Sequence, residues 1–428
     1  MSELTKLLEG VNIEWKLLEE LIISLKTGLN PRKNFNLNTD NAEGYYVTVR
    51  EIADGKIIFS NKTDRVSVEA INIINNRSNL EAGDLLFSGT GTVGRMAIIQ
   101  ETPVNWNIKE GVYVIKPKPS ILNSKYLRYL LSSTNIKDTY SKKIVGSPVI
   151  SLPMKDLRKL LIPIPCPDNP EKSLKIQEEI VRILDRLSEE TNQLTAALQK
   201  ELYLHQKQYD FYREKLFKFV GKEVEWRSLA EVFDLKNGYT PSKQNKEYWT
   251  NGTVPWFRME DIRRNGRVLS NSIQHVSESA VKGGRLFPAN SIIVATSATI
   301  GEYALITVPY LSNQRFTNLS IKNNFADIFI MKFMVHYSYL LGEWCKKNVT
   351  VGNFAGVDMG GFKKFPIAIP SLIDQERIVK ILDELDAKTQ AITTAIQKEI
   401  ALRNKQYEYY RDRLLSFQSL HAEAEAIQ

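Results

Sequence analysis

The sequence predicts a mixed α/β (α+β) chain in which two globular domains alternate with two long helices that pair as an antiparallel coiled coil. Three observations predict it. Residues 176–219 recur without a gap as residues 374–417, and about half of the aligned positions are identical. Both copies keep apolar residues at helical spacing, with no Pro or Gly inside. Before each copy lies a stretch of short β-like runs among loops rich in Asn, Ser, Gly and Thr. A repeat this long makes the chain a pseudo-dimer in one polypeptide, with a pseudo-two-fold relation between its halves.

The first domain is expected over residues 1–165. Its β-like runs are 45–50, 84–88 and 96–99, and residues 126–132 read as a short helix. Pro163-Ile164-Pro165 reads as a stiff lead-in to the first long helix, 171–220. The apolar stripe of that helix runs through Ile180, Leu184, Leu187, Leu194, Leu198, Leu202, Tyr209, Tyr212, Leu216 and Phe219. The second domain, 221–370, has β-like runs at Ser291–Ala295 and 303–308, a helix near 329–341 and a Pro-bounded lead-in at 366–370. The second helix, 371–418, repeats the stripe as Ile378, Leu382, Leu385, Ile392, Ile396, Ile400, Tyr407, Tyr410, Leu414 and Phe417, and a tail, 419–428, follows. Forty-four helical residues extend roughly 66 Å. A stripe of that length needs a partner helix, and each copy supplies one for the other.

Weaker echoes enlarge the repeated unit. Glu14-Trp15-Lys16 matches Glu225-Trp226-Arg227, and Lys26, Gly28 and Pro31 match Lys236, Gly238 and Pro241. Leu85-Leu86-Phe87 with Thr92 and Gly94 matches Ile292-Ile293-Val294 with Thr299 and Gly301, and Gly146-Ser147 matches Gly352-Asn353. Scaffold positions repeat, while the residues between them do not.

With 428 residues there is room for two or three cores. No apolar run is long enough to span a membrane. Residues 1–9 are polar and acidic, unlike a secretory signal. Two lone cysteines, Cys166 and Cys345, suit a reducing cytoplasm. The net charge is +8. Residues 1–165 carry 22 Lys+Arg against 17 Asp+Glu, residues 221–370 carry 18 against 12, and the first helix carries 9 against 9. The basic excess lies in the two domains, as expected if they face a polyanion and the helices do not.

No catalytic constellation emerges. Gly89, Gly91 and Gly94 form a GxGxxG, but a β-like run follows instead of a helix, so a tight hairpin turn explains them. Asp168 and Glu171 read as helix capping. The four histidines are scattered, and neither a metal site, a P-loop nor an Asn-Pro-Pro-aromatic run occurs. What remains are basic and polar loops at matching stations. In the first domain they present Arg32, Lys33, Arg50, Thr90, Arg95, Asn105, Asn107, Lys142, Lys143 and Ser147. In the second they present Tyr239, Lys243, Trp256, Arg258, Arg263, Arg264, Thr299, Gln314, Arg315, Lys346, Lys347 and Asn353. Lys and Arg hold phosphates, and Arg, Asn and Gln read purine edges, so these are the candidate contacts to double-stranded DNA. On the helices, Tyr209, Tyr212 and Arg213 return as Tyr407, Tyr410 and Arg411, which makes them candidate partner contacts.

This plan resembles the specificity subunit of type I restriction-modification systems. The resemblance spans nearly the whole chain. Its carriers are Pro163 to Pro165 followed by Gln177-Glu178-x-Ile180-Val181-x-Ile183-Leu184-Asp185, and Pro370 followed by Gln375-Glu376-x-Ile378-Val379-x-Ile381-Leu382-Asp383. Gly83 to Ser88 with Gly94, Pro255-Trp256 and Gly352-Asn353 support it, and the first copy departs by about seven extra residues, 167–173. The resemblance implies two target-recognition domains that each read half of a bipartite sequence, with the helices as a ruler between them. It implies docking of two methyltransferase subunits and, through the complex, restriction or motor subunits. It also implies that the chain is not itself an enzyme and holds no cofactor, with S-adenosylmethionine, ATP and Mg on partner subunits. Two other classes stay open on the residues alone: a methyltransferase or nuclease fused to its own recognition domains, and a structural coiled-coil adaptor.

Overall fold

Apolar stripes repeated along two uninterrupted helices set the architecture. The computed structural model describes residues 11–32, 34–53, 55–219, 224–350 and 355–417. The long helices run over Pro170–Leu216 and Leu372–Leu415. The chain divides into two compact units, Met1–Gln199 with Gln397–Gln428, and Lys200–Ile396. The division cuts both helices, so each unit holds a globular part, the start of one helix and the end of the other. In the first unit Ile176, Ile180, Val181 and Leu184 share a core with Leu414 and Leu415. In the second, Ile378 and Leu382 share one with Phe217. The start of each helix thus packs against the end of the other, which is antiparallel pairing.

The two globular parts are built alike. In the first unit a sheet runs in the order Ile22–Thr27, Val112–Pro117, Leu85–Ser88, Met96–Ile98. In the second the order is Phe233–Asn237, Phe316–Ile321, Ser291–Ala295, Tyr303–Ile306, with Val268–Leu269 added at the edge. Alternate residues of the central strands face opposite sides. Leu85 and Phe87 enter the core shared with the helices, while Leu86 enters a second core with Val114. Ile292 and Val294 divide from Ile293 and Ala295 in the same way. Burial on both faces is why these strands read as unbroken apolar runs. A smaller three-stranded sheet sits beside each: Arg65–Val66, Gly44–Val47, Trp106–Ile108 in one unit, and His275–Val276, Val254–Phe257, Leu311–Ser312 in the other.

The proline-rich stretches before the long helices are strands, a correction to their reading as stiff lead-ins. Leu161–Pro165 pairs with Ile13–Leu17, and Pro366–Ile369 pairs with Glu225–Ser228. A two-stranded sheet asks each strand to bond on one side only, so a residue without an N–H is tolerated. Trp15 faces Pro163 and Trp226 faces Ala368, the equivalent register. The first long helix starts at Pro170, where proline lacks an N–H that no helix carbonyl would use. Asn169 Oδ1 accepts the Lys172 N–H at 2.9 Å, so Asn169 is the capping side chain rather than Asp168. The glycine run is a hairpin turn: Leu85–Ser88 pairs antiparallel with Met96–Ile98 around Gly89, Gly91 and Gly94.

Candidate nucleic-acid interface

A shared frame carries different mouths in the two units. In the first, Gly28 lies so close to the Ile108 carbonyl that no side chain would fit. The next residue's carbonyl, Leu29, accepts the Tyr46 hydroxyl at 2.6 Å. In the second, Gly238 is pressed against Ser312 and Asn313, and the Tyr239 carbonyl accepts the Trp256 ring N–H at 3.0 Å. The strand then ends where a short helix begins, with the N-cap N–H held by the carboxylate three residues on. Thr48 N–H donates to Glu51 at 2.8 Å, and Arg258 N–H donates to Asp261 at 2.6 Å. On the adjoining strand Lys109 N–H bonds the Val47 carbonyl, and Asn313 N–H bonds the Phe257 carbonyl. These matching bonds put Thr48 and Arg258 at one station, and Lys109-Glu110 and Asn313-Gln314 at another.

In the second unit the mouth opens into a cleft of about 620 Å³ lined by Lys243, Lys246, Trp249, Arg258, Gln314 and Arg315, among others. Lys243, Lys246 and Arg315 are exposed. Arg258 is held over the Trp256 ring at 5.6 Å and faces Glu260 at 3.6 Å, while its Nε is buried without a hydrogen-bond partner. Gln314 is braced by the Thr240 hydroxyl. Unspent donors and unpaired cations in one concavity suit phosphate and base-edge oxygens.

Of the residues named from the sequence, the cleft brings together Lys243, Arg258, Gln314 and Arg315. Trp256 reaches it only as a wall: it is buried, and its ring N–H is spent on the frame. Tyr239 is also a brace, donating to the Ala280 carbonyl at 3.2 Å and accepting the Lys282 N–H at 2.9 Å. Arg263, Arg264, Thr299, Lys346 and Lys347 do not line it. Arg264 is bound to Glu260 at 2.5 Å, and Lys346 to Glu343 at 2.7 Å. Lys246, Trp249, Thr250 and Gln274 line it without having been picked out from the sequence.

In the first unit Arg32, Arg95, Asn105, Lys142, Lys143 and Ser147 are exposed. Arg50 is engaged by Asp64 at 2.7 Å and by Thr48 at 3.2 Å. Thr90 bonds Ser151 at 3.1 Å beside the hairpin turn. Asn107 overturns its expected role: it is fully buried, accepts from Ser78 at 2.8 Å and donates to Asn75 at 2.6 Å, so it ties a helix to a strand. Phe59, stacked on Tyr45 at 4.3 Å with Arg65 also over that ring, adds an aromatic surface the sequence did not flag. Lys33 and Asn353 lie outside the described residues.

The helix candidates divide. Arg213 is buried, 3.2 Å from the Tyr339 ring centroid and paired with Asp210 at 2.6 Å. Arg411 is buried beside Asp412, and Tyr209 and Tyr407 are mostly enclosed. These four brace the helix ends internally, a correction to their reading as partner contacts. Tyr212 stays half exposed, and with Phe211 it lines an apolar groove of about 870 Å³ beside Ile378, Ile381 and Leu385. Among the exposed apolar residues of the long helices, Leu204 and Phe211, seven apart, recur as Leu402 and Tyr409. Among the described residues no cluster could hold a metal ion, and no helix is long and apolar enough to cross a membrane.

Two copies of one frame with unlike polar mouths define a two-site binding protein. The DNA specificity domain of type I restriction modification matches residues 12–204 and 221–402. The EcoprrI specificity subunit of Escherichia coli is 56% identical over 213 residues, 48% of this chain and 53% of that protein. The EcoR124I/EcoR124II specificity subunit of Escherichia coli is 42% identical over 262 residues, 60% of this chain and 63% of that protein. Each of these matches spans less than two thirds of the relative. A putative specificity subunit of Haemophilus influenzae is 27% identical over 97% of this chain and 98% of its own. A chain from a solved structure concerning assembly and conformational transition of the type I R-M system has the same fold, with a TM-score of 0.70 at 18% identity over 95% of this chain and 98% of its own. The chain belongs to the type I restriction-modification DNA specificity family.

Proposed function

We propose that the chain is the sequence-specific DNA-recognition subunit of a type I restriction-modification complex, that it reads an asymmetric bipartite target, and that it is not itself an enzyme. One observation supports this most. The frame is the same in both units, but its mouth presents Lys109 and Glu110 in one, where Thr48 at the Arg258 station is buried and bonded to Glu51, and Arg258, Asn313, Gln314 and Arg315 in the other. Like frames with unlike polar side chains read unlike half-sites. The remaining exposed cations, Lys142 and Lys143 among them, hold phosphate. Two methyltransferase subunits dock on the long helices. Leu204 with Phe211, and Leu402 with Tyr409, offer one face twice, which suits two identical partners. S-adenosylmethionine, ATP and Mg belong to partner subunits, with methylation on the methyltransferase subunits and ATP-driven cleavage on restriction or motor subunits, and the assembly works in the cytoplasm.

The test uses the isolated full chain with labelled S-adenosylmethionine and mixed duplex DNA. The reading expects DNA binding that weakens steeply with salt, as counterion release requires, and no retained label. Stoichiometric retention of the label would favour the fused enzyme. DNA binding no stronger than that of an unrelated basic protein would favour the adaptor.

A further inference from the structure

Two pairs of polar residues that repeat exactly near the starts of the long helices line neither mouth. Gln177 is fully buried; its Nε2 donates to the Ile121 carbonyl at 3.0 Å, and its Oε1 accepts the Asn123 N–H at 2.9 Å. Gln375 does the same in the second unit, donating to the Ile328 carbonyl at 2.8 Å and accepting the Ile330 N–H at 2.9 Å. Eight residues further, Asp185 accepts from Lys125 at 2.7 Å and from the Tyr129 hydroxyl at 2.6 Å. Asp383 accepts from Lys332 at 2.5 Å and faces His336 Nε2 at 3.1 Å. In each unit all four partners belong to, or lead into, one helix of the globular part, Ser124–Ser132 or Met331–Lys347.

Each long helix therefore grips its globular part at two points, roughly 12 Å apart along its axis. Apolar packing alone tolerates sliding and rotation, because it is not directional. A buried carboxamide bonded to backbone atoms at both its oxygen and its nitrogen does not. The aspartate contact survives although a tyrosine partner in one unit is a histidine in the other. Three of the four contacts are chemically the same in both units, and the fourth keeps its position on the helix.

We propose that Gln177 with Asp185, and Gln375 with Asp383, are positioning residues that fix the angle at which each recognition part rides on its long helix. The spacing between the two half-sites then depends on them. This rests on the reading of the chain as a bipartite DNA reader.

The test measures affinity of the full chain for duplexes whose unread gap is native, one base pair shorter or one base pair longer, with thermal melting recorded alongside. The unaltered chain should prefer its native gap by about tenfold or more, since a displaced half-site loses its base contacts. The double variant Asp185→Ala with Asp383→Ala should keep a single melting transition, while its preference falls below about threefold. The conservative double variant Asp185→Asn with Asp383→Asn, which keeps an acceptor oxygen, should retain most of it. Undiminished preference in the alanine variant, or equal loss of affinity for all three gaps, overturns the proposal. Absence of any gap preference in the unaltered chain sinks the bipartite reading itself, and the proposal with it.

Discussion

Replacing Arg258 by threonine, the residue at the same station of the first unit, separates base reading from structure. The backbone is insulated from the change. The helix that follows is capped by the Arg258 N–H on Asp261 at 2.6 Å, a bond any residue makes. The side chain contributes a loose ion pair at 3.6 Å and a cation over Trp256 at 5.6 Å, together less than about 1 kcal/mol at a partly exposed site. What the variant removes is a guanidinium that lines the cleft. A bidentate contact to a purine discriminates by about 1–3 kcal/mol, or about 5- to 150-fold. Arg258→Thr should therefore lose that factor against duplexes carrying the preferred base at one position, with little loss against other bases there. Melting should move by only a few degrees. The assay is competition binding with duplexes varied position by position in one half-site. A uniform loss across all duplexes would assign Arg258 to phosphate, and an unchanged profile would remove it from the interface.

Other outcomes follow from the same contacts. Arg213→Glu puts a carboxylate against Asp210 in a buried site beneath Tyr339, so it should destabilise the second unit by about 3–5 kcal/mol in denaturant melts. A variant as stable as the parent would show that the arginine braces nothing. Phe211→Ser with Tyr409→Ser, at exposed positions, should leave stability nearly unchanged yet prevent co-purification of methyltransferase subunits, and normal stoichiometry would move the docking face elsewhere. Burial pushes the Asp185 carboxyl up, but Lys125 and Tyr129 more than offset this and hold it below the usual carboxylate range. Its stabilising effect is therefore present above the unfolded value near ~4 and lost as pH falls through the lower folded value. The melting difference between the parent and Asp185→Ala should hold from neutral pH down to about 5 and close below about 4. A difference that persists in stronger acid would contradict that assignment.

Periodicity made the helices and the central hairpins legible, because both depend on local spacing that no tertiary contact overrides. Leu85-Leu86-Phe87 and Ile292-Ile293-Val294 announce strands covered on both faces. The strands at Leu161–Pro165 and Pro366–Ile369 were hidden because their pairing partners lie far away in sequence. Direction was the other missing quantity. Repetition singled out Arg213 and Arg411, but an arginine under a tyrosine ring reads the same as one facing solvent. Asn107 sits in loop-like composition yet is enclosed by Ser78 and Asn75, because a parallel pairing with Gly44–Val47 carries it inward. Lys246, Trp249 and Gln274 could not be found from spacing, since only the pairing of Val254–Phe257 with His275–Val276 brings their stretches together.

One frame, used twice, is proposed to carry two different readers. The most direct measurement is sequencing of methylated sites in cells that express the chain with its modification subunits. One interrupted sequence with two unlike halves and a fixed gap is the expected result. A palindromic sequence would contradict it, because identical half-sites would require the mouth with Lys109 and Glu110 and the mouth with Arg258, Gln314 and Arg315 to read alike.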